Sequence, residues 1–183
     1  MRSYLKTALV LFLICGVCTA LCAIVNSVTA PVIAASEGAK KEAALVSVSA
    51  GYGIGLTETV GEGRINSRTE LSDNGRTAGY VLDITAKGYG GDISIIAAYR
   101  NDGSLLGSKV VSDSETAGLG KKSEEDWYME MFRGKGSSDP IPTSKSMLKS
   151  EDSDAVSGAS VTFQAVSSAL AEGSSYIKKF GGR

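Results

Sequence analysis

The chain opens on a long apolar block and then changes period. Thr7 to Ser36 carries no charged side chain, and its most apolar part, Ala8 to Val25, runs for 18 residues. At ~1.5 Å per residue, about 20 helical residues cross a hydrocarbon core, so this pattern predicts a transmembrane helix with Asn26 and Ser27 near an interface. Ala-rich sequence from Pro31 to about Val48 continues it as a stalk or as a first domain helix, which Gly51, Gly53 and Gly55 end. Beyond that point the apolar residues alternate. Ile54 to Val60 and Arg64 to Glu70 read as short strands. Thr77 to Ala86 reads as a better one, with Tyr80, Leu82, Ile84 and Ala86 on one face and Val81, Asp83 and Thr85 on the other. Ile93 to Tyr99 and Leu105 to Val111 flank Asn101-Asp102-Gly103 and form an antiparallel hairpin. Glu124 to Phe132 then reads as a helix with Trp127, Met131 and Tyr128 turned inward. From about Ser160, Phe163, Val166, Ala169 and Leu170 recur at helical spacing, with a break expected at Gly173.

The fold class that follows is α+β: a single N-terminal transmembrane helix, then one domain with a twisted antiparallel sheet and packed helices. The expected boundaries are 1–33 for the cytoplasmic stub and span, 34–50 for the helical stalk or first domain helix, and 51–183 for the extracytoplasmic domain. Arg2 and Lys6 precede the span and Glu37 follows it, so the positive-inside tendency places the N-terminus in the cytoplasm and the domain outside the cell membrane. Cleavage of a signal peptide after Val28-Thr29-Ala30 competes with an anchor, although signal cores of ~7–15 residues are shorter than this run.

Composition narrows the chemistry. All three cysteines, Cys15, Cys18 and Cys22, lie in the span as apolar filler, which leaves the domain without a disulfide or a thiolate metal site. The chain has no histidine, which excludes Ser-His-Asp and Cys-His nucleophilic machinery and His-ligated haem. With 19 basic and 20 acidic residues the net charge is −1, and no basic excess invites nucleic acid. No catalytic acid–base residue and no metal ligand stands out.

What does stand out is Asp154-Ala155-Val156-Ser157-Gly158-Ala159-Ser160-Val161-Thr162, where hydroxyls and small residues meet a helix start. Unpaired N–H groups and the positive end of the helix dipole favour an anion there. Gly158 and Ala159 would let a phosphate and its substituent approach the backbone, and Ser160 could carry a phosphoester. The plainer alternative is a helix cap made by Ser157 or Ser160.

Ser157-Gly158-Ala159-Ser160 resembles the Ser-Gly-Ala-Thr flavinylation motif of extracytoplasmic FMN-binding domains. Two further stretches match in order: Gly88-Tyr89-Gly90-Gly91, and Glu115-Thr116-Ala117-Gly118-Leu119-Gly120 followed by Trp127 and Phe132. With the single span, they make the chain most similar to the G subunit of Rnf-type electron-transport complexes, a family related to the C subunit of sodium-pumping NADH:quinone oxidoreductase. Three residues depart from the family pattern: Ser160 stands for the usual Thr, Ala117 for a Pro, and Asp92 for a Pro.

The resemblance implies FMN joined covalently through its phosphate to Ser160, with Thr162 as the alternative acceptor and Ser157, Gly158 and Ala159 beside it. It also implies that Thr116 and the backbone of Gly118, Leu119 and Gly120 lie against the flavin. Glu115 either orders that loop or is solvated. Gly88 to Gly91 is a turn between strands rather than a ligand site. Trp127 and Tyr128 either stack near the cofactor or belong to the core, and Asp152 and Asp154 either bind a cation during modification or are solvated. The implied function is a membrane-anchored electron carrier in an ion-translocating ferredoxin:NAD oxidoreductase, partnered by other membrane subunits, the bilayer and a flavin transferase that uses FAD. The alternatives are a subunit of the sodium-pumping NADH:quinone oxidoreductase or another flavinylated reductase partner, and a membrane-anchored binding module without flavin.

Overall fold

The computed structural model describes residues 2–181. α1 (Arg2–Val48) is one helix with Pro31 inside it, and its N-terminal part contains a stretch long and apolar enough to cross a membrane. Residues up to Ala39 form one compact unit, and those from Lys40 onward form a second. α1 stops at Val48 because Ala50 and Gly51 adopt positive φ, which no helix can continue. Gly53 and Gly55, expected in that helix stop, lie instead inside the first strand.

Five strands follow in sequence order as one antiparallel sheet: β1 (Gly53–Glu62), β2 (Ile65–Asp73), β3 (Arg76–Lys87), β4 (Asp92–Arg100) and β5 (Leu105–Ser112). Each strand pairs with the next, so short turns suffice. Asn74 and Gly75, both at positive φ, close the β2–β3 hairpin, and Gly103 does so for β4–β5. β1 and β2 run longer than the segments expected from the sequence.

Alternation along the strands gives each face its own core. Leu82, Ile84 and Ala86 of β3 and Ile93, Ile95, Ala97 and Tyr99 of β4 point to one face. There they meet α4 (Ser160–Gly181) through Phe163, Val166, Ala169, Leu170 and Ile177. The opposite face buries Val81, Ile96, Ala98 and Val111 against Ala44 and Val48 from the end of α1. Asp83 lies on this second side and accepts from Lys41 Nζ at 2.7 Å. Thus residues 40–48 are packed as a domain helix.

α4 is continuous through Gly173, contrary to the expected break. A Cβ at 173 would come 2.6 Å from the Tyr99 hydroxyl and 3.0 Å from Ile84 Cδ1, so glycine is required here by a close approach rather than by a bend. The same Tyr99 hydroxyl donates to the Leu170 carbonyl at 3.0 Å. At the far end of α4, the Arg68 guanidinium sits 3.7 Å over the Phe180 ring, donates to Tyr176 Oη at 3.0 Å and pairs with Glu58, which clamps the helix to β1 and β2.

The expected Glu124–Phe132 helix is two shorter pieces, a 3-10 turn at Gly120–Glu124 and α2 (Asp126–Glu130). Its inward residues are Tyr128, Met129 and Phe132, while Met131 is half-buried and Trp127 is exposed with its indole N–H on the Glu125 carboxylate. α3 (Ser150–Ala155), just before the Ser157 turn, was not expected from the sequence.

Candidate functional site

The three stretches singled out in the sequence meet on one carboxylate. Glu115 leaves β5 through a short loop and is 6 % exposed. One of its oxygens accepts the Gly90 N–H at 3.0 Å, and the other accepts the Thr162 hydroxyl at 2.7 Å. Its own N–H donates to Asp113 Oδ1 at 2.8 Å. A buried carboxylate is costly unless hydrogen-bonded, and these partners offset that cost by drawing in the β3–β4 turn and the first turn of α4. Glu115 is thus buried rather than solvated, and its carboxylate bonds reach the β3–β4 turn and α4 rather than its own loop.

The surrounding glycines follow from this packing. A Cβ on Gly88 would collide with Glu115 Oε1 and stand 2.7 Å from Ile93 Cδ1. One on Gly120 would collide with Glu115 Oε2 and stand 2.9 Å from Thr162 Oγ1. Gly118 differs: it has φ +76 and open space around it, so its need is conformational. The Thr116 carbonyl accepts the N–H groups of Leu119 and Lys121, both at 3.2 Å, and turns the loop into the 3-10 segment.

Beside this junction lies a pocket of about 560 Å³. Glu115, Thr116, Leu119 and Gly120 form one wall, Gly158 to Thr162 another, and Tyr89 stands at the edge. Ser160 is the first residue of α4 and is exposed, at the positive end of a 22-residue helix. Thr162 is buried, with its hydroxyl committed to Glu115. Ser157 and Gly118 are not among the lining residues; Ser157 instead donates back to the Ser153 carbonyl at 3.4 Å. Gly158 has φ +89, and a Cβ there would sit 3.2 Å from Leu119 Cδ2, so glycine serves both turn and wall.

Trp127 and Tyr128 also lie outside the lining. The Tyr128 phenol is buried, and burial followed by the Glu115 charge pushes its pKa up. Asp152 and Asp154 flank the Ser157 turn in α3, with Asp154 exposed. Sequence reasoning missed Tyr89 and Val161 as lining residues. Tyr89 was visible inside its motif, but a turn between glycines gives no periodic signal to mark its side chain.

Two family models match this chain, the RnfG N-terminal region over residues 1–48 and the FMN-binding domain over residues 88–174. The second takes in all three stretches that meet at Glu115. Both regions match in chain order, an RnfG N-terminal region followed by an FMN-binding domain.

Similar proteins carry the same designation. The G subunit of the proton-translocating ferredoxin:NAD(+) oxidoreductase complex of Clostridium ljungdahlii is 31% identical over 107 residues, 58% of this chain and 57% of that protein. The G subunit of an ion-translocating oxidoreductase complex of Cereibacter sphaeroides is 38% identical over 96 residues, 50% of this chain and 43% of that one. The chain thus spans about half the length of these relatives. The G subunit of the Na(+)-translocating ferredoxin:NAD(+) oxidoreductase complex of Acetobacterium woodii is 27% identical over 181 residues, covering 90% of this chain and 87% of that one. Among solved structures, NqrC of Shewanella oneidensis is similar with a TM-score of 0.48 and 22% identity, over 63% of this chain and 60% of that one.

The pocket fits FMN. Its volume lies within the ~300–1,000 Å³ usual for small-molecule sites. Its mouth carries exposed apolar side chains from Tyr89, Leu119 and Val161, suited to a flat ring, and Ser160 offers a hydroxyl at a helix N-terminus, suited to a phosphate.

Proposed function

We propose that this chain is a membrane-anchored electron-transfer subunit of an Rnf-like ion-translocating oxidoreductase complex, with FMN joined through its phosphate to Ser160. The observation that carries this reading is the contrast between two hydroxyls in one pocket wall: Ser160 is exposed at the first residue of α4, while Thr162 is buried and bonded to Glu115. Transfer from FAD would form the Ser160 Oγ–phosphorus bond as the pyrophosphate bond breaks, with AMP leaving and the serine proton released. The first N–H groups of α4 would hold the phosphate, and Gly158 and Ala159 would leave it room. Thr116, Leu119 and Gly120, which line the pocket, would border the ring. When bound, the flavin supplies the electron chemistry, and the protein supplies position and polarity.

The apolar part of α1 serves as an uncleaved anchor. Arg2 and Lys6 hold the N-terminus on the cytoplasmic side, so the domain lies outside, where the bond to Ser160 keeps the cofactor from being lost. Partners are the other membrane subunits of the complex and a flavin transferase that draws FMN from FAD.

The test is coexpression of the full chain with a flavin transferase, followed by a denaturing gel scanned for flavin fluorescence. A fluorescent band at the chain's mass is expected, since a cofactor held only by packing leaves on unfolding. A dark band from protein made with an active transferase would end this reading.

A further inference from the structure

The β3–β4 turn holds an aromatic side chain in the open. Tyr89 is 77 % exposed, although it lies at the edge of the pocket. Its backbone is tightly held: the Gly88 N–H donates to the Gly91 carbonyl at 2.8 Å, and the Gly90 N–H donates to Glu115 at 3.0 Å. Gly88 and Gly90 on either side have no room for a Cβ, being pressed against Glu115 and the Ser114 carbonyl. A rigid base thus carries a ring that touches little of the protein. Covering that ring with a ligand at the pocket edge would remove apolar area from water, and fixing it in advance lowers the entropy cost of that contact. Leu119, 44 % exposed, and Val161, 52 % exposed, also line the pocket.

We propose that Tyr89 covers one face of the flavin ring, held there by the Glu115-bonded glycine turn. The assignment rests on the pocket being the flavin site. Tyr89 acts through its ring plane, by offset stacking, and its hydroxyl is dispensable. Tyr89 is therefore a binding residue that limits solvent access to the cofactor.

The experiment uses the full chain, flavinylated by coexpression with the transferase, and measures collisional quenching of flavin fluorescence by iodide in the native and the denatured protein. Tyr89→Ala should raise the native quenching constant about twofold, because it uncovers one of the ring's two faces. Tyr89→Phe should leave that constant at the wild-type value, as should Trp127→Ala, which removes an exposed aromatic outside the pocket. The denatured proteins should all be quenched alike. A native constant unchanged in Tyr89→Ala would overturn the proposal, and so would a rise in Tyr89→Phe equal to that in Tyr89→Ala. The two readings fail differently: loss of the Tyr89 effect with flavin still on the denatured chain rejects Tyr89 alone, whereas denatured wild-type protein without flavin rejects both.

Discussion

Thr162 donates its hydroxyl to the Glu115 carboxylate at 2.7 Å, joining positions 47 residues apart in the chain. The bond removes from solvent one of two hydroxyls that lie two residues apart at the start of α4. Of the two, Ser160 is the exposed hydroxyl.

Ser160→Ala should abolish covalent flavin, and the flavin should not move to Thr162. Ser160→Thr should keep it, since the hydroxyl survives and the added methyl only restricts χ1. Peptide mass spectrometry of the coexpressed proteins reads the result. A flavin-bearing Thr162 peptide in Ser160→Ala would show that the Glu115 bond does not protect that hydroxyl.

Thr162→Val removes a donor but keeps the volume, leaving one Glu115 oxygen buried without its partner. It should destabilise the domain by about 1–3 kcal/mol, the usual cost of an unsatisfied buried polar group. Urea unfolding of the detergent-solubilised protein measures it. A midpoint equal to wild type would mean that Glu115 draws its support elsewhere.

Gly120→Ala and Gly118→Ala separate crowding from conformation. At 120 the new methyl meets the Glu115 side chain and Thr162 Oγ1, and overpacking of this kind costs about 1–3 kcal/mol. At 118 it meets open space and pays only for a positive φ, roughly 1 kcal/mol. Only Gly120→Ala should also disturb flavin attachment, read from gel fluorescence. Equal losses of stability and of attachment in both variants would contradict the packing described around Glu115.

Alkali should unfold the domain in a way that Tyr99 accounts for in part. Burial raises the Tyr99 phenol far above its ordinary value of 10.0. The stability this group contributes is fully present below pH 10 and declines as pH rises above it, because the unfolded chain then releases a proton that the folded one holds. Above that point each such phenol costs about 1.4 kcal/mol per pH unit. Tyr99→Phe forfeits the bond to the Leu170 carbonyl and is less stable at neutral pH, but its stability should fall less steeply between pH 10 and 11. Parallel alkaline curves for the two proteins would refute this assignment.

The sheet was readable from β3 onward because β3 alternates, β4 is a nearly continuous apolar run buried on both faces, and the β4–β5 turn carries Asn101-Asp102-Gly103. Segments shorter than two helical turns were not. α2 spans five residues, too few to fix a face, and Trp127 turns outward because its indole N–H finds a carboxylate at the surface. α3 reads Ser-Glu-Asp-Ser-Asp-Ala, which offers no apolar stripe at all. Gly173 carried the signature of a helix break, yet it marks where the Tyr99 hydroxyl comes against the helix backbone, a long-range requirement invisible along the chain. At the pocket, the hydroxyl and glycine motifs were legible as types, but the union of the three stretches on Glu115 needed the fold. So did Tyr89.

The pocket's two walls and its edge come from positions near 89, 115 to 120 and 158 to 162, and the last of these begins the final helix. During synthesis, the strands can pair while that helix is still inside the ribosome. The cradle exists only after α4 has docked. A chain cut short anywhere before Ser160 would keep all five strands yet lack a wall of the pocket.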